Sequence, residues 1–160
     1  MYAAHVLELA TNLEQSMRVL VIGAGMMGSA IAYDLAHSDG VSEIHLADVD
    51  AQRASSVAAS LGKKVRDHKL DVGMYDDVVE AMQQVDAAIG ATSYTHNYLL
   101  AKAAIEAGIH FCDLGGNMDV VYRQMSLNEK AKAAKSCVVP NCGLAPGLAC
   151  VVTAGGARKF

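Results

Sequence analysis

The sequence contains no tryptophan, and aromatic residues fill only 5% of its 160 positions, which excludes a core built around large rings. Ala, Val, Leu, Ile and Met must supply the buried volume, a composition that suits helices packed closely on a parallel sheet. No apolar run approaches the roughly 20 residues that a membrane-spanning helix needs, so no membrane partner is expected. Among Cys112, Cys137, Cys142 and Cys150 there is no C-x-x-C pair, and the nearby His110 and Cys112 have no zinc-site spacing. Neither a metal site nor a disulfide framework is expected. The thiols read as free ones in a reducing, cytoplasmic setting. Lys and Arg are scattered and the net charge is −4, so no basic surface for nucleic acid is expected either. Proline occurs only twice, both times within residues 140–147.

What the sequence does have is concentrated between Met17 and Asp50. Four apolar residues, Val19 to Ile22, read as a strand buried on both faces. Gly23, Gly25 and Gly28 follow as G-x-G-x-x-G, and Met26 to His37 is helix-compatible, so the glycines lie at a strand-to-helix junction. Gly23 permits the tight turn, Gly25 lets backbone approach a pyrophosphate, and Gly28 lets helix and strand pack closely. Met26 and Met27 open the helix whose N–H groups face the anion. A second strand, Glu43 to Ala47, delivers Asp48 and Val49. Asp48 stands twenty residues after Gly28, where an acid hydrogen-bonds a ribose 2′-hydroxyl. Its carboxylate would repel a 2′-phosphate, which favours NAD over NADP, although Arg53 lies near enough in sequence to accommodate that phosphate.

The pattern then repeats. Ala51 to Leu61 reads as a helix stopped by Gly62, and Val65 to Leu70 as a third strand ending near Asp71 and Val72. These two residues either line the adenine pocket or, for Asp71, merely shape a turn before a helix from Asp77 to Gln84 capped by Asp76 or Asp77. Val85 to Gly90 is a fourth strand, followed by Ala91, Thr92, Ser93 and Tyr94. The first three are small enough to admit a nicotinamide ribose, while Ser93 or Thr95 could equally cap the next helix, His96 to Ala107. Ile109 to Leu114 is a fifth strand, with a tight turn at Gly115, Gly116 and Asn117. Val120 to Lys135 reads as a solvated outer helix and Cys137 to Val139 as a sixth strand. Pro140 to Gly147 is a compact turn before an apolar run, Leu148 to Ala154. The expected fold is α/β, a Rossmann-type doubly wound parallel sheet of about six strands with helices on both faces. It spans residues 17–160. Residues 1–16 read as an N-terminal extension in which Val6, Leu9, Leu13 and Met17 fall at helical spacing.

The segments MRVLVIGAGMMG, LADVD, FCDLGGNMDVV and especially VPNCGLAPGLA resemble the amino-terminal cofactor domain of the saccharopine dehydrogenase family, most nearly its lysine 6-dehydrogenase branch. The resemblance covers about Met17 to Phe160. It implies oxidation of a C–N bond of an amino-acid substrate, with hydride passing to a nicotinamide dinucleotide. Gly23, Gly25, Met26, Met27 and Gly28 would hold the pyrophosphate, Asp48 the adenosine ribose, and Ala91 to Tyr94 the nicotinamide side. Gly115, Gly116, Asn117, Asn141 and Cys142 would surround the site of hydride transfer. Two positions depart from the pattern. Ala145 stands where saccharopine reductases carry a substrate-binding aspartate, which favours the lysine-dehydrogenase-like branch, and Asn141 stands where relatives often have Asp. Family members continue into a substrate domain, so the chain is expected to be a truncated cofactor domain, incompetent alone, of an enzyme expected to be a homodimer.

Amine oxidation needs a base within hydrogen-bond reach. Cys142, Tyr94 and His96 are the candidates nearby, each with a plainer role as a small buried residue, a packing side chain and a first-turn helix residue. A stand-alone nucleotide-binding or sensing module without catalysis is the alternative, favoured slightly by the apolar run from Leu148.

Overall fold

The computed structural model describes residues 16–158. The helical spacing noted before Ser16 lies outside them. Six strands form one parallel sheet: β1 (Met17–Ile22), β2 (Val41–Asp48), β3 (Val65–Lys69), β4 (Ala87–Gly90), β5 (His110–Asp113) and β6 (Val138–Val139). Their order is β3-β2-β1-β4-β5-β6, so the chain winds outward from β1 in one direction and then, after β3, in the other. The reversal falls between β1 and β4, the switch point at which such sheets bind ligands. Register brings the strand ends level. Ile22 pairs with Ala47 and with Gly90, and Gly90 pairs with Asp113, so Gly23, Asp48, Ala91 and Leu114 all emerge at one edge.

The period of two in β1 divides its side chains between two cores. Val19 and Val21 join Ile44, Leu46, Ala32, Ala54 and Ala58 under α1 (Met26–Ala36) and α2 (Ala51–Leu61). Leu20 and Ile22 join Met82, Leu100, Ala104 and Phe111 under α3 (Tyr75–Met82) and α4 (Asn97–Ala107). Val19 to Ile22 are at most 3% exposed, as a doubly covered strand requires. Alanine at 32, 54, 58, 101, 103 and 104 brings the helices close to the sheet, which is how the fold dispenses with large rings.

Several boundaries differ from the sequence reading. The single helix expected over Val120 to Lys135 is two, α5 (Met118–Met125) and α6 (Asn128–Ala134), and it is not a solvated outer element. Val121, Gln124, Leu127 and Ala131 recur every three or four residues and are buried. A buried glutamine within that stripe makes its inward face look polar. Asp76 and Asp77 do not cap α3. Met74 holds the cap position and the two acids occupy the first turn, where they face the positive end of the helix dipole. A 3-10 turn, Tyr94–His96, precedes α4, and Ser93 Oγ accepts from the Thr95 amide at 3.4 Å. The apolar run near the end forms a wide turn, Leu144–Leu148, and α7 (Ala149–Ala157), which expose Leu144, Leu148, Val151 and Val152.

On the β2–β3 side two imidazoles stack. The rings of His45 and His68 lie 4.7 Å apart at 14°, and His68 Nε2 is buried with no hydrogen-bond partner. Burial first, then proximity to His45, holds the His68 pKa below its ordinary 6.5, with Arg66 acting the same way and Asp67 and Glu43 opposing. The unfolded chain therefore takes up this proton before the folded one does. Stability is complete above pH 6.5 and falls as pH drops below that value, until folded His68 is itself protonated. Urea titrations at neutral pH and about one unit below 6.5 are expected to show a smaller loss for His68→Gln than for the parent chain.

Candidate dinucleotide site

The edge described above carries a cleft of about 250 Å³ lined by Gly23, Gly25, Asp48, Val49, Val72, Ala91 and Thr92, with Arg53 also against it. Elements from both halves of the sheet build it. A larger cavity, about 570 Å³, lies between Ile105, Gln124, Leu127 and Val138 and includes none of the fingerprint glycines.

The three glycines have different reasons to be glycine. Gly23 has φ +107°, and a Cβ there would lie 2.7 Å from the Ala91 carbonyl oxygen. A Cβ on Gly28 would overlap the Gly23 carbonyl oxygen. Both serve the fold, by turning the chain and seating α1 on β1. Gly25 has neither reason. Its φ is −73°, open to any residue, and nothing lies within 4 Å of its Cβ position. The space above it is empty of protein, on the side of a helix whose first turn carries no side-chain cap and no acid. The leading N–H groups of α1 are thus left for an anion, with Met26 and Met27 exposed beside them.

Asp48 is only 8% exposed. Its Oδ2 accepts from the Ala24 amide at 2.7 Å and its Oδ1 from the Asp50 amide at 2.9 Å, so the acid ties the glycine turn to the end of β2. Each oxygen keeps further acceptor capacity toward the cleft. Arg53 lies between two acids, 3.7 Å from Asp48 and 3.6 Å from Asp50. Across the cleft Thr92 lines the wall, and its Oγ1 is buried without a partner. Open space above Gly25 and free helix amides fit a dinucleotide laid across the switch point.

Asp71 is exposed, and its Oδ1 accepts from the Gly73 amide at 2.8 Å, which is the turn-shaping role. Val72 faces the cleft and Asp71 is not among its lining residues. Ser93 is exposed at the start of the 3-10 turn. Gly115, Gly116 and Asn117 lie beyond β5, and Asn117 caps α5 by accepting from the Asp119 and Val120 amides. A Cβ on Gly115 would overlap Asn141 Oδ1, and one on Gly116 would sit 2.9 Å from Tyr94 Cβ. Those glycines therefore let three turns close on one another. Cys142 is exposed and not the small buried residue expected; its thiol donates to the Val139 carbonyl at 3.4 Å, and partial desolvation followed by the Asp113 charge raises its pKa. Tyr94 is 40% exposed against Gly116, and His96 is half-buried at the end of the 3-10 turn. Among the described residues no cluster of three or more His, Cys, Asp or Glu could hold a metal, and no helix is long and apolar enough to cross a membrane.

One component escaped the sequence reading. Asp113, fully buried at the end of β5, receives hydrogen bonds from the backbone amides of two turns and from Gln124. Its only local signal is an acid closing an apolar strand just before Gly115-Gly116.

A switch-point cleft with a glycine turn, an uncapped helix and a terminal acid defines a nicotinamide-dinucleotide-binding domain of the oxidoreductase type. The model of the saccharopine dehydrogenase NADP binding domain matches residues 19–139, and the chain belongs to that family. Carboxyaminopropylagmatine dehydrogenase of Synechocystis sp. is 29% identical over 146 residues, covering 86% of this chain and 37% of that protein. The apo saccharopine dehydrogenase (L-Glu forming) of Saccharomyces cerevisiae superposes with a TM-score of 0.74 at 22% identity, over 89% of this chain and 32% of that one. GenD2 from gentamicin A biosynthesis, in complex with NAD, shares the fold with a TM-score of 0.61 at 20% identity, over 80% of this chain and 35% of its own. The chain thus spans about a third of the length of these proteins.

Proposed function

We propose that the chain is the cofactor-binding portion of an NAD-dependent amino-acid oxidoreductase of the lysine 6-dehydrogenase-like kind. The observation that carries this is Gly25, a glycine with no steric reason in the protein, placed under open space between uncapped helix amides and a buried acid. The amides of α1 hold the pyrophosphate, Asp48 the adenosine ribose, and Thr92 the far side of the cleft. When bound, the cofactor supplies the hydride acceptor. The chain's own residues bind it, orient it and exclude water from one side of it. The amine reading is supported by family membership and by Ala145 in the PNCGLAPG turn. The exposed apolar surface of Leu144, Leu148, Val151 and Val152 supports burial against further protein, a substrate-binding part or a second copy.

Charge at the ribose end supports NAD over NADP. Arg53 carries one positive charge between two carboxylates, so the group is net negative and opposes a 2′-phosphate. Titration is expected to show NAD binding about tenfold more tightly than NADP, a difference of about 1.4 kcal/mol. Asp50→Ser keeps a capping oxygen for α2 but takes away one of the two acids beside Arg53, and is expected to narrow that ratio several-fold. Equal affinity for the two cofactors in the parent chain would overturn the NAD assignment. Absence of binding by either at millimolar concentration would overturn the cofactor reading. Lysine-dependent NAD reduction by a protein extended to include the substrate-binding part tests the amine.

A further inference from the structure

We propose that Asp113 is the positioning residue for the nicotinamide half of the site, holding the turns after β5 and β6 in the shape that receives the ring. This rests on the dinucleotide reading above. In a doubly wound sheet the adenosine lies over β1, β2 and β3, and the nicotinamide crosses the switch point toward β4 and β5. At that end the backbone takes a positive φ at three places: Gly115 at +78°, Gly116 at +132° and the non-glycine Asn141 at +62°. Glycine adopts such angles freely, whereas the left-handed Asn141 relies on its surroundings to hold it there.

Asp113 ties the two turns together. Its Oδ1 accepts from the Gly115 amide at 2.7 Å and the Asn141 amide at 3.2 Å, and its carbonyl accepts from the Cys142 amide at 2.7 Å. One residue at the end of β5 thus fixes both turns. Its Oδ2 takes the Gln124 side-chain amide at 2.6 Å, and that amide also reaches the Asn97 carbonyl at 3.4 Å. Asp113, Gln124 and Asn97 are 0%, 3% and 2% exposed, so the carboxylate has exchanged water for charge-assisted N–H donors. Asp48 does the equivalent on the adenosine side by tying Ala24 and Asp50. Each half of the edge is held by one buried acid at a strand end.

The test compares NAD with ADP-ribose, which has the adenosine, the pyrophosphate and the second ribose but no nicotinamide ring. Dissociation constants are measured calorimetrically for the 160-residue chain, Asp113→Asn and Gln124→Leu, with melting temperature as a control. Each variant removes about one hydrogen bond's worth of support, so NAD is expected to bind about tenfold more weakly while ADP-ribose stays within about twofold. Equal weakening of both ligands would show a role in the whole scaffold, and unchanged affinity for both would show no role. Either overturns the proposal, as does failure of both variants to fold. If the parent chain binds neither ligand, the cofactor reading itself falls. If it binds both and the variants leave their ratio unmoved, only the role of Asp113 does.

Discussion

An alanine at position 25 is expected to weaken NAD binding about 100-fold, roughly 2.8 kcal/mol, and to leave the fold standing. The two halves of that expectation come from different atoms. The fold survives because the new methyl meets no protein atom within 4 Å and the backbone at φ −73° is ordinary for alanine. Less freedom in the unfolded chain favours alanine by about 0.4–1 kcal/mol, and the poorer cap it makes at the start of α1 offsets a similar amount. Melting temperature should therefore move by only a few degrees. Binding fails because the methyl stands where a pyrophosphate must approach the helix amides, and a displaced phosphate loses several charge-assisted hydrogen bonds together. ADP-ribose should weaken as much as NAD does, since both carry the pyrophosphate. That separates Gly25 from Asp113, whose loss acts on the nicotinamide ring alone. Calorimetric titration beside a melting curve checks both halves, and undiminished NAD affinity in a folded Gly25→Ala chain would place the pyrophosphate elsewhere.

Gly25 also shows what kind of information the amino-acid order carries. The strand Val19 to Ile22, the glycine turn and the helix stop at Gly62 were legible because each depends on neighbours a few residues apart, through apolar period or φ freedom. The doubly wound order followed from repeating that unit. The nicotinamide half was not legible to the same degree. Asp113, Gln124 and Asn141 lie 11 to 28 residues apart and meet only when β5, α5 and the turn after β6 are assembled. Met125, Glu129 and Lys132 made the helix after β5 look solvated, and nothing local marks Gln124 as the buried donor to a buried acid. Asp48 was expected as a ribose ligand from its spacing, but its bond to the Ala24 amide is a tertiary contact with no local trace. Residues 113 and 48 do comparable work, yet only the one inside a short-range motif announced itself.

Gly28 separates fold from function in the opposite direction, and Gly28→Ala is expected to destabilise the chain by about 3 kcal/mol or more. A Cβ there would overlap the Gly23 carbonyl oxygen and lie 2.8 Å from its carbon. Neither can yield as a flexible side chain would. The Gly23 amide is bonded to Ala47 at 2.7 Å, and Ile22 is paired with strands on both sides. Relief requires α1 to lift from β1, which opens the contacts around Ala32 that seat it. For a chain of this length the loss is a drop in melting temperature of about 6–12 °C. Excess NAD should then distinguish the two glycines. At about 100 times its dissociation constant the cofactor stabilises a binding-competent fold by about 2.7 kcal/mol, so it should recover much of the Gly28→Ala deficit wherever the variant still folds. The same NAD concentration should raise the melting temperature of the Gly25→Ala chain very little, because that chain is folded and lacks only the binding. A Gly28→Ala chain that melts with the parent would mean that α1 does not press on the turn as closely as the Gly23 contact requires.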